Sequence, residues 1–94
     1  MANEASTNWQ EFFQKWPAGL PKRGQLVSTL NETLPFKSFM IRGNMLLLER
    51  MNPDAGGARF IMLGFDAIHM LKITDPLKED VFAKAGFEGH FAKM

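Results

Sequence analysis

The sequence contains no cysteine. This excludes disulfides, a thiolate zinc site and a cysteine nucleophile. A small cysteine-free domain suits a reducing compartment, and the cytoplasm is the expected one. An excess of one charge is also missing. Eleven Lys and Arg stand against ten Asp and Glu, a formal net charge of +1. That balance excludes an electrostatically dominated nucleic-acid binder, so any such contact must rest on a local patch. No unbroken apolar run exceeds the length of Met45-Leu46-Leu47-Leu48. A membrane helix needs roughly 20 apolar residues, so no membrane partner is expected. The start, Met1 to Asn8, is polar and unlike a signal peptide, so no targeting segment is expected.

Histidine is scarce, with only His69 and His90. A metal site needs three or four converging ligands, and Asp66 and His69, three apart on a strand, would point to opposite faces. No metal is therefore expected. Ser6, Ser28 and Ser38 lack an adjacent base, and nothing resembles a nucleophile elbow. Gly56-Gly57 lacks the Lys-Ser/Thr of a phosphate loop. No catalytic residue and no cofactor are proposed, and a non-enzymatic protein is expected.

What is present is the makeup of one small globular domain spanning 1–94. Hydrophobic residues are 46% and charged residues 22% of the 94, not the mix of a disordered chain. The seven methionines suit an adaptable core or contact surface. Trp9, Phe12, Phe13 and Trp16 recur at helical spacing, and Pro17 ends the pattern. Thr7 and Gln10 fit a capping box. The spacing predicts a helix over about 8–16 after a tail of 1–7. A connector rich in Pro and Gly follows over 17–24. Five short strands are then predicted at 25–30, 36–41, 45–51, 59–63 and 67–74, with the clearest turn at Asn52 to Gly57. A final helix begins after Asp75 as N-cap with Pro76 at its first position. Gly86 is its C-cap, and Phe87, Phe91 and Met94 extend its apolar stripe. The fold class is thus mainly β with terminal helices, in the order helix, five strands over 8–74, and a helix over 75–94. Such strand spacing predicts a small barrel or sandwich.

The apolar surface from Arg59 to Ile73 is too large for one sheet face. Ten of these fifteen residues are apolar, whereas a half-exposed antiparallel strand alternates. Either the terminal helices cover the second face, or the last two strands are edges that pair with another copy. Unpaired apolar edges are an aggregation liability that closure into a ring removes.

The element order, and above all Phe60-Ile61-Met62-Leu63-Gly64-Phe65-Asp66-Ala67-Ile68, resembles the Sm-like family. Gly64 and Ile68 match its second motif. Gly24 and Val27 open the first, and Arg42-Gly43-Asn44 is the loop between its second and third strands. Leu63 stands where the family has Arg before the Gly, and of the polar residues of its first motif only Asn44 is near. The resemblance implies a five-stranded Sm-like barrel of SH3 type. It also implies a homo-oligomeric ring, pentamer to heptamer, in which one subunit's fourth strand pairs with the next one's fifth. It further implies single-stranded RNA bound by the two loops. Arg42 would then hold phosphate, Asn44 and Gly64 would line the base pocket, and Phe65 would stack a base or else fill the core or a subunit contact. The alternative is the same ring as a structural or adaptor component with no RNA role. Lys15, Lys22 and Arg23 form a second, smaller basic group, which is ordinarily a solvated surface.

Overall fold

The first helix begins earlier than its capping pattern implies. In the computed structural model, which describes residues 4–92, α1 runs Glu4–Gln14. Thr7 and Gln10 therefore sit inside the helix and not at its mouth, so the capping-box reading is corrected. Glu4 and Ala5 are good helix formers, and Ser6 is buried, so the helix gains by extending through them. It ends before Pro17 as expected. The Trp16 indole N–H then donates to the Leu20 carbonyl at 2.8 Å, which folds the connector back.

All five predicted strands form, with shifted ends. They are β1 (Gly24–Ser28), β2 (Thr33–Arg42), β3 (Met45–Arg50), β4 (Phe60–Gly64) and β5 (Ile68–Lys72). They make one antiparallel sheet in the order β4-β3-β2-β1-β5. A single 3-10 turn, Phe65–Ala67, joins β4 to β5. The β2 register slips between Phe36 and Ser38. Leu34 and Phe36 point inward before the slip, and Phe39 after it. A bulge of this kind bends the strand and reverses its inward parity. Gly24 lies where β1 and β5 come closest; a Cβ there would stand 2.7 Å from the Lys72 carbonyl oxygen.

The predicted closed barrel is not what the sheet forms. β4 and β5 lie at opposite ends of the strand order and do not pair with each other. Yet only three residues separate them. Gly64 and Ile68 are four residues apart, so their Cα atoms are at most about 14 Å apart. Five strands laid flat would put these ends about 19 Å apart. The sheet therefore curls, leaving two unpaired edges near one another.

The hollow of the curl is the core: Leu26, Leu34, Phe36, Phe39, Leu46, Leu48, Phe65 and Ile68, closed by Phe13 from α1. Phe13 is 2% exposed, with ring centroids 5.0 Å from Phe39 and 5.9 Å from Phe65. Helix cover thus accounts for the inner apolar face alone. The outer face stays open at Met40, Phe60 and Met62.

The second helix, α2, runs Glu79–Lys84 and starts later than predicted. Lys78 occupies the N-cap position, which corrects the assignment of Asp75. Asp75 is taken instead by Arg23, whose guanidinium donates to both carboxylate oxygens at 2.7 and 3.1 Å. Gly86 does end the helix, at φ 102°. The Gly86 and Phe87 amides donate back to the Ala83 and Phe82 carbonyls, a Schellman ending. Phe87 then packs on Phe82 and on Phe12 of α1. Phe91 reaches Phe82, while Met94 lies outside the described residues. Among the described residues no helix is long and apolar enough to cross a membrane.

Two carboxylates hold this carboxy-terminal segment. Hydrogen bonds from Arg23 hold the Asp75 carboxyl below its usual pKa. His90, and then the Phe91 amide, do the same for Glu79. A depressed folded pKa contributes stability above the unfolded value of about 4, lost as pH falls through the folded value. Acidification below about pH 4 is therefore expected to free α2 and its tail before the sheet. Amide exchange should rise first at Phe91 and last at Leu26 and Leu46.

Candidate nucleic-acid interface

The two chain breaks singled out in the sequence do meet. Arg42 pairs with Met45 across a two-residue loop, Gly43-Asn44. Gly43 takes φ 58° at the first loop position, which glycine adopts without strain. Met45 in turn pairs with Gly64, and the Phe65 amide donates to the Asn44 carbonyl at 3.2 Å. Arg42, Asn44, Gly64 and Phe65 thus lie on one corner, built by the β2–β3 turn and the end of β4.

The four do not face the same way. Arg42 and Asn44 are exposed, and Gly64 is half-buried. The Phe65 ring is 1% exposed and lies in the core against Phe13. The described chain therefore offers no stacking face at Phe65, and the core alternative is the one realised. A 3-10 turn directs this ring inward, where burial of an aromatic side chain is most favourable. Asp66 folds over Gly64; a Cβ on Gly64 would meet the Asp66 carboxylate at 2.6 Å. The corner therefore holds one cation, Arg42, and one carboxylate, Asp66.

Gln10 belongs to this corner and sequence reading placed it elsewhere. Its side-chain amide donates to the Gly43 carbonyl at 2.9 Å, fixing the turn on α1. The partners are 33 residues apart, so the capping pattern was the only local signal and it pointed wrongly.

The second basic group is dispersed. Lys15 pairs with Glu11 at 3.4 Å, Lys22 lies 5.1 Å over the Phe39 ring, and Arg23 is bound to Asp75. His69 is exposed on β5, and His90 contacts Glu79. Among the described residues no group of three His, Asp or Glu converges as a metal site would require. Comparison with known protein families, curated proteins and solved structures returns no match.

Proposed function

We propose that the chain is a non-enzymatic Sm-like subunit of the cytoplasm. Copies assemble edge to edge, β4 of one on β5 of the next, into a closed ring of five to seven subunits. The observation that carries this reading is the pair of unpaired edges brought near each other by a three-residue link in the order β4-β3-β2-β1-β5. In such a ring each strand end gains the ladder it lacks. The curled sheet becomes one small SH3-type barrel per subunit.

Single-stranded RNA is the proposed ligand, met by the repeated corners around the ring. Arg42 contributes a phosphate contact and Asn44 a hydrogen-bonding edge. Gly64 lines the corner beneath the Asp66 carboxylate, and Phe65 supports it from the core. One cation per corner is weak alone, and repetition around a ring multiplies it. A second reading, a structural ring without RNA, is favoured by that same low charge and by Asp66 beside Gly64.

The test is fluorescence anisotropy with uridine-rich and adenosine-rich 12-mers over a salt series. Binding is expected to weaken steeply with salt. Arg42→Ala should weaken it at least about tenfold and flatten the salt slope. Asn44→Ala should reduce discrimination between the two oligomers. No binding at low salt by a correctly assembled ring would select the structural reading.

A further inference from the structure

The outer face of β2, β3 and β4 carries an apolar row that none of the described residues covers. Met40, Leu47 and Met62 are direct partners across the three strands. Phe60 adjoins them in the next row, opposite Glu49. Met40 is 71%, Met62 61% and Phe60 60% exposed. One hollow of about 280 Å³ lies among Met40, Met45, Leu47 and Met62, and a second of about 240 Å³ lies among Met40, Leu47 and Phe60. Hollows of this size between exposed side chains receive apolar side chains of a partner. Thioethers adapt to varied apolar guests, which makes methionine common on peptide-binding surfaces.

Charge selects the guest. Arg42 closes one end of the row. Lys37 and Arg59 stand with Phe60 at the other. The one carboxylate lining these hollows, Glu49, is already held by the Ser38 hydroxyl at 2.6 Å and by Lys37 at 3.8 Å. A second copy laid face to face would set these cationic ends against each other. Nucleic acid fits poorly as well. The row's one neutral polar side chain, Ser38, donates to Glu49, so no amide or hydroxyl is left to satisfy base edges. We infer that this face docks an acidic peptide segment of a partner protein. Apolar side chains of the segment fill the two hollows, and its flanking carboxylates meet Arg42 at one end and Arg59 at the other. The face shares Met62 of β4 with the proposed ring edge and Arg42 with the proposed RNA corner, so its own readout is Met40, Leu47 and Arg59, which neither of those contacts uses.

The test uses two fluorescein-labelled 12-residue peptides with the same leucine-alanine centre. One carries two glutamates at each end, the other two lysines. The glutamate peptide is expected to raise anisotropy and to bind at least about tenfold tighter than its lysine twin. Met40→Gln, on the central β2 strand, should weaken it at least about fivefold. Arg59→Gln should weaken it about two- to threefold and reduce its salt dependence. Equal binding of both peptides, or undiminished binding by Met40→Gln, would overturn the proposal. So would no anisotropy change up to about 1 mM peptide, a weakness below any useful affinity. A Met40→Gln protein of smaller particle mass would make the face a contact between copies. Co-sedimentation of the protein with phosphatidylserine vesicles, without peptide binding, would make it a lipid surface.

Discussion

Phe13→Ala is expected to remove about 3–5 kcal/mol of folding stability, the range for losing a fully buried phenylalanine. The position is where α1 meets the sheet. Phe13 touches Phe39 on β2, Phe65 on the 3-10 turn and Trp16 just beyond its own helix, all within 6 Å between ring centroids. An 11-residue helix is marginal by itself, so α1 holds its shape chiefly by what it buries. Truncation leaves a cavity at the mouth of the curl that the rigid sheet cannot fill. A domain of this size holds only about 5–15 kcal/mol in total. The midpoint of thermal unfolding should therefore fall by roughly 12 °C or more. Phe60→Ser, on the exposed outer face, should change stability by less than about 0.5 kcal/mol. Calorimetry on both variants checks the contrast. Near-equal effects would mean that α1 does not close this core.

The second large effect concerns the sheet edges. Met62 on β4 and Met70 on β5 are both exposed. If these strands pair between subunits, Met62→Lys combined with Met70→Lys places like charges on facing edges, which disfavours the ladder. The particle should fall from several subunits to the single chain of 10.6 kDa. Met62→Glu combined with Met70→Lys puts opposite charges there and should keep the assembly. Loss of assembly in both pairs would point to methionine packing and not to edge pairing. Unchanged mass in both would place the contact elsewhere.

Several elements were legible in the sequence because their causes are local. The five strands follow from short apolar runs and the turns between them. The turn at 52–57 follows from Asp54, whose carboxylate accepts the amides of Gly56 and Ala58. The Gly86 ending follows from the one residue type that takes φ 102° freely. What escaped reading depends on partners far along the chain. Asp75 looks like an N-cap until Arg23, 52 residues away, claims both its oxygens. Thr7 and Gln10 look like a capping box until Gln10 is seen to bond Gly43. The Phe36–Ser38 bulge reverses parity in mid-strand, which no period of two reveals. Phe65 lies in the break between Gly64 and Asp66, where no strand period marks an inside and residue type alone favours the core. Its meeting with Asn44 was legible only through the resemblance.

Edge-paired assembly is measured most directly by the mass of the purified protein. Light scattering behind a sizing column is predicted to give one species of five to seven times the 10.6 kDa chain. Its mass should hold on dilution, since a closed ring leaves no edge free. A monodisperse particle of 10.6 kDa would contradict it. It would mean that β4 and β5 remain open in solution and that no ring presents the Arg42–Asn44 corner.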